Sequence, residues 1–172
     1  MRPTDLELLH RARKGHDDAF HELVDRHADL LYGLACGLVS GRSDAEDIVQ
    51  ETLLGAYRGM DGFKGRSSVK TWLVGILRRQ AARHYRRGRL RRTASIVEEP
   101  AAEGRGPEAG VDVRDALAQL TPERREVIVL REFQGMSYAE MADVLCVPLG
   151  TVESRLYRAR RDLRELLSAY LP

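Results

Sequence analysis

The side chains with the widest chemical repertoire in this sequence are five histidines, His10, His16, His21, His27 and His84, and two cysteines, Cys36 and Cys146. Their spacing builds no reaction centre. The histidines never meet the H-E-x-x-H pattern that places two imidazoles on one helix face around zinc. Neither a G-x-x-x-x-G-K-[ST] phosphate loop nor a G-x-S-x-G nucleophile turn occurs. The cysteines lie far apart, each in an apolar stretch, which gives neither a disulfide ladder nor a C-x-x-C knuckle. Both are expected as buried thiols. No catalytic residue, metal site or cofactor is expected, and an enzyme is a remote reading.

The groups present in quantity recognise charge and base edges instead. Basic and acidic residues number 28 and 26, for a net charge of +2. They are sorted into blocks: Arg78 to Arg92 holds eight arginines and no carboxylate, whereas Thr93 to Asp115 holds six acids against two arginines. Near the C-terminus, Val152, Leu156, Ala159, Leu163 and Leu166 recur as one inward helical stripe. Ser154, Tyr157, Arg158 and Arg161 point the other way. Arginine donates a bidentate pair to guanine, serine bonds a base or a phosphate, and flanking arginines hold the backbone. A solvated face is the bland alternative for any amphipathic helix. Here the capped helix and turn that precede it favour a recognition helix.

Two stretches of the N-terminal half carry further recognition chemistry. From Ser43 to Arg58, Ala45, Ile48, Val49, Thr52, Leu53, Ala56 and Tyr57 form a core stripe. Asp47, Gln50, Glu51, Leu54 and Arg58 form the opposite one. Ser43 with Glu46 reads as a capping box, and first-turn acids favour the helix dipole, so Asp44 and Glu46 have structural explanations. Asp47, Gln50 and Glu51 do not. A leucine amid carboxylates and an amide suits either docking to a basic protein partner or a plain solvated face. From Phe63 to Arg87 a glycine and serine loop feeds a cationic helix with Val69, Trp72, Leu73, Ile76, Leu77 and Gln80 inward. Arginines beside aromatics suit backbone phosphates and unstacked bases of a single strand. Trp72 is expected mostly in the core.

The elements that must position these residues are helices. Apolar spacing predicts helices at about 5–14, 17–39, 44–59 and 68–88, with Gly88 closing the last, then at about 112–119, 122–133, 138–145 and 150–169. Thr121-Pro122 and the capping box Ser137-Tyr138-Ala139-Glu140 mark starts, Ala139, Met141, Ala142 and Leu145 face inward, and Cys146-Val147-Pro148 breaks the chain into a helix-turn-helix. Residues 93–110 lack apolar periodicity after Val97. The expected architecture is all-α: a four-helix lobe at 1–92, a flexible acidic linker at 93–111 and a helix-turn-helix lobe at 112–172. No window approaches the roughly 20 apolar residues of a membrane span, and the start lacks a signal-peptide core, so a cytoplasmic protein without membrane insertion is expected.

Four stretches, in order, resemble the extracytoplasmic-function (ECF) group of bacterial RNA polymerase sigma factors, in the sigma-70 family. They are Ala19-Phe20-His21-Glu22-Leu23-Val24; Asp44-Ala45-Glu46-Asp47-Ile48-Val49-Gln50-Glu51; Phe63-Lys64-Gly65 with Thr71-Trp72-Leu73; and Gly150 through Arg160. The resemblance implies a dissociable specificity subunit for RNA polymerase core. Asp47, Gln50, Glu51 and Leu54 would dock on the clamp helices of the largest subunit, and the C-terminal lobe would meet the flap. Phe63, Lys64, Arg66, Ser67, Lys70, Arg78, Arg79, Arg83 and Tyr85 would recognise and open the minus-ten element, a flipped base entering the loop. Thr151, Glu153, Ser154, Arg155, Tyr157 and Arg158 would read the duplex minus-thirty-five element, Glu153 suiting a cytosine amino group rather than guanine. The linker would thread toward the RNA path. With no further domain after Pro172, a separate anti-sigma factor is the expected regulator. The alternative, a stand-alone helix-turn-helix regulator, leaves the arginine block unexplained.

Overall fold

The structure, a computed structural model, describes residues 2–39, 41–94 and 113–168, with the side chains of 89–94 and 114 excepted. Most of the expected linker therefore lies outside the described residues. Helix α1 (Asp5–Arg13) opens with a reciprocal box: Glu7 N–H donates to Thr4 Oγ1, and the Thr4 N–H donates to Glu7 Oε2 at 2.7 Å. Helices α2 (Asp17–Leu38), α3 (Arg42–Gly59) and α4 (Val69–Ala94) complete the N-terminal lobe. Their buried faces meet around Leu8, Leu9, Leu23, Leu31, Leu34, Ile48 and Leu77. Asp5 ties α1 to α2, with His27 Nε2 2.7 Å from Asp5 Oδ2 and Arg26 donating to Asp5 Oδ1 at 3.2 Å.

Two expected helix boundaries move. Helix α3 starts at Arg42 with Gly41 as N-cap, and Ser43 caps nothing; Glu46 instead accepts from Arg42 Nε at 3.1 Å. A pair at i, i+4 replaces the box once the chain turns helical one residue before Ser43. Asp44 lies 3.2 Å from His84 Nε2, joining α3 to α4. Helix α4 runs through Gly88 to Ala94. One glycine costs a helix only about 1 kcal/mol relative to alanine, and the surrounding arginines and leucine are strong helix formers.

In the C-terminal lobe α5 (Val113–Gln119) precedes α6 (Pro122–Ile128), which starts with proline in the first turn and passes into a π turn at Val129–Phe133. Gly135, at φ +61°, turns the chain into α7 (Tyr138–Leu145), where Ser137 and Glu140 form the expected capping box. Helix α7 ends on Cys146 in the left-handed region, φ 54°, and α8 (Leu149–Leu167) follows. That turn lifts the Cys146 thiol into solvent, so the expected burial fails there, and Cys36 is only half-buried. Ala139, expected inward, is exposed, while Met141, Val144 and Leu145 carry the buried face of α7. On α8 the expected stripe holds: Val152, Leu156 and Ala159 are buried, and Leu163 and Leu166 pack against them.

The two helical bodies pack against each other through one continuous apolar core. Helix α2 meets the π turn so closely that a Cβ on Gly37 would fall 2.8 Å from both Val129 methyls. Only glycine permits that approach. Buried Arg125 donates to the carbonyls of Leu117 at 2.7 Å and Ala118 at 2.6 Å within its own lobe. Across the junction it donates to Leu38 O at 3.1 Å and to the Tyr85 hydroxyl. Arg78 pairs with Glu126 at 2.7 Å. Helix α4 consequently buries a second stripe, Thr71 and Val74, in line with Arg78 and Tyr85 and additional to the face expected from Val69, Leu73, Ile76 and Leu77.

Candidate nucleic-acid interface

The outer face of α3 is built by helical spacing alone. With Ala45, Ile48, Thr52 and Ala56 buried, Asp47, Gln50, Glu51 and Leu54 are all turned outward, and Leu54 is 42% exposed. The ion pairs formed among the described residues involve neither Asp47 nor Glu51. Two carboxylates thus flank an exposed leucine on this face, neither paired among the described residues.

The loop between α3 and α4 is held at both ends. A 3-10 turn at Met60–Gly62 closes with Phe63 N–H donating to Met60 O at 3.1 Å. The Phe63 ring packs on Trp72, centroids 5.0 Å apart, and is only 9% exposed. The ring of Phe63, one of the expected minus-ten residues, is thus buried as an anchor here, because an aromatic next to an indole is more stable out of water than at a solvated loop tip. At the far end Ser68 Oγ accepts from Thr71 N–H at 3.0 Å and bonds Thr71 Oγ1 at 2.9 Å. Between the anchors Lys64, Gly65 and Arg66 are exposed and Ser67 is half-buried, with Gly65 at φ +68°.

Along α4 the expected cations divide. Arg79 and Arg83 are exposed and Lys70 is half-buried, with Glu140 within electrostatic range. Arg78 and Tyr85 face the C-terminal lobe and are spent on Glu126 and Arg125. Burial pushes the Glu126 carboxyl above the ordinary glutamate range, while the nearby Arg78 and Arg155 guanidiniums oppose that push. The expected minus-ten set is therefore only partly presented in this arrangement.

On α8, Glu153, Ser154, Tyr157 and Arg158 are exposed, and Tyr157, at 72%, is the most exposed large apolar side chain among the described residues. Thr151 is half-buried, and its carbonyl accepts from Ser154 Oγ at 3.1 Å. Arg155 is half-buried and within electrostatic range of Glu126. Beside this face, Tyr138, Glu153, Leu156, Tyr157, Arg160 and Arg161 line a shallow groove of about 260 Å³. Arg160 is anchored to Glu132 at 2.7 Å.

Comparison with known proteins decides between the two readings of the helix-turn-helix. Sigma-70 region 2 matches residues 23–91, and Sigma-70, region 4 matches residues 111–163. The chain is 32% identical to the RNA polymerase sigma-H factor of Pseudomonas aeruginosa, over 97% of this chain and 95% of that one. It is 33% identical to the ECF RNA polymerase sigma-E factor of Haemophilus influenzae, over 91% of this chain and 92% of that one. The chain belongs to the ECF sigma factors of the sigma-70 family.

Among solved structures, the sigma factor RpoE in complex with the anti-sigma factor NepR from Bartonella quintana superposes with a TM-score of 0.72. The identity is 32%, over 88% of this chain and 98% of that one. CnrH in complex with the cytosolic domain of CnrY gives 0.75 at 31% identity, over 95% of this chain and 97% of that one. As a sigma factor, the protein binds RNA polymerase core, directs it to specific promoters and promotes their opening.

Three residues of this sigma factor escaped sequence reasoning: Arg13, Arg125 and Glu126. Each acts across a long stretch of chain, and no local pattern distinguishes a buried arginine from the solvated ones around it. Only the glutamate left a trace, lying in the first helix after the Thr121-Pro122 start and opposite the arginine block in charge.

Proposed function

We propose that the N-terminal lobe docks this sigma factor on the polymerase clamp helices through Asp47, Gln50, Glu51 and Leu54. Residues 1–92 and 112–172 act as separate reading bodies, joined through 93–111. Lys64, Arg66 and Ser67, with Lys70, Arg79 and Arg83 on α4, engage the opened minus-ten strand. Arg78 and Tyr85 join them once the C-terminal lobe swings away. That lobe meets the flap and reads the minus-thirty-five duplex with Glu153, Ser154, Tyr157 and Arg158, supported by Thr151 and Arg155. The observation that carries the reading is the division of α3 and α8 into a buried stripe and an outward one bearing Asp47, Gln50, Glu51 and Leu54 on α3 and Glu153, Ser154, Tyr157 and Arg158 on α8.

The protein works by binding rather than bond-making. Binding energy to the open strand offsets the cost of separating base pairs. Its place of action is the cytoplasm, where polymerase and promoter are; among the described residues no helix is long and apolar enough to cross a membrane. The RpoE–NepR complex supports an anti-sigma factor as regulator of this chain too. Run-off transcription with purified core tests the assignment. Asp47→Arg with Glu51→Arg reduces core affinity by at least tenfold while the thermal midpoint holds, and unchanged affinity removes the docking role of α3.

A further inference from the structure

Arg13 closes α1, yet its guanidinium reaches across to the chain that leads into the minus-ten loop. Nε donates to Met60 O at 2.7 Å, and Nη2 donates to Phe63 O at 2.6 Å and also to Met60 O. These carbonyls bracket the 3-10 turn, and Met60 O already accepts the Phe63 N–H. Arg13 thus locks the backbone at the residue where the loop leaves the core. The Phe63 ring is fixed separately on Trp72, and Ser68 fixes the exit by capping α4. Four residues, Lys64 to Ser67, span the two anchors. A loop this short transmits a shift at either end directly to its tip, so the entry carbonyls set where Lys64 and Arg66 can reach.

We propose that Arg13 is a positioning residue for minus-ten recognition: its planar fork holds the Met60 and Phe63 carbonyls and thereby aims the loop at the unpaired strand. The proposal rests on the reading of residues 64–67 as the strand-contacting loop. Lysine cannot replace the fork, because a single ammonium offers no fixed pair of donors to two separated carbonyls. Charge-assisted bonds of this kind are worth enough for a loss of about tenfold in a binding-driven step.

The test uses holoenzyme assembled from the full chain and core polymerase, on promoters carrying 2-aminopurine in the minus-ten non-template strand. Opening is followed by fluorescence on a consensus promoter and on base-substituted minus-ten variants. Arg13→Ala is expected to slow opening about tenfold and to narrow the gap between consensus and substituted promoters, with core affinity within about twofold of wild type. Arg13→Lys, which keeps the charge and supports folding, should restore part of the rate but not the discrimination. Lys64→Ala with Arg66→Ala serves as the loop control. If that control opens promoters normally, the loop reading fails and the proposal with it. If the control is defective while Arg13→Ala and Arg13→Lys keep wild-type rate and discrimination, only the positioning role of Arg13 is overturned. Parallel loss of core affinity and opening in both Arg13 variants also overturns it, since that pattern marks general destabilisation.

Discussion

At the scale of single residues, exposure separates side chains available for recognition from those already spent. Arg158 is exposed on α8, whereas Arg155 one turn earlier is half-buried within electrostatic range of Glu126. Arg158→Ala is therefore expected to cost about 1 to 3 kcal/mol in discrimination among minus-thirty-five sequences if its guanidinium grips a base edge. A loss that is uniform across sequences identifies a phosphate contact, and titrations over a substituted operator series distinguish the two. Gly65 makes the complementary point about backbone. Its φ of +68° disfavours any side chain, and no atom stands within 4 Å of where a Cβ would lie. Gly65→Ala should cost about 1 to 2 kcal/mol through conformation alone. In urea titrations that loss should appear at unchanged m-value.

At the scale of elements, helix α7 depends on its cap. Hydrogen bonds from the Ser137 backbone and hydroxyl hold the Glu140 carboxyl below the ordinary glutamate range. A carboxylate lowered on folding contributes its stability above the unfolded value of about 4.3, and that contribution is lost as pH falls through the folded value. Ser137→Ala is expected to lower stability by about 1 kcal/mol at neutral pH. Glu140→Gln keeps the reciprocal geometry but has nothing to titrate, so its stability should decline less steeply than wild type on acidification below about pH 4.3. Urea unfolding at neutral and acid pH measures both. The same element shows the limit of pattern reading. The capping box and the inward Met141 and Leu145 were legible from spacing, but Ala139 was not, because a small residue in the first turn fits either face.

At the scale of the whole molecule, the lobes are closed on each other, and closure occupies Arg78 and Tyr85 of the proposed minus-ten set. The Tyr85 hydroxyl accepts from Arg125 across the junction, and among the described residues it makes no bond within its own lobe. Arg125 keeps its bonds to Leu117 and Ala118 without Tyr85, so Tyr85→Phe weakens closure while leaving the C-terminal lobe intact. A bond to a charged donor is worth about 1.5 to 3 kcal/mol, which moves the closed-to-open ratio by at least about tenfold. Small-angle scattering should show a radius of gyration rising above the roughly 16 Å of a compact chain this long. An unchanged profile would place the closing energy in the Gly37–Val129 packing and the Arg78–Glu126 pair instead.

Helix number and order, the capping box of α7, the inward stripe of α8 and the outward set Asp47, Gln50, Glu51 and Leu54 were all readable from the sequence. Each depends on residues a few positions apart, where helical geometry dictates who shares a face. Tertiary structure decided the rest. It buried Phe63, turned Arg78 and Tyr85 onto the other lobe, exposed Cys146 and set Arg13 on the entry to the loop. Those outcomes join residues tens of positions apart, and an arginine among many arginines acquires its role only from the carbonyl or carboxylate that the fold brings to it.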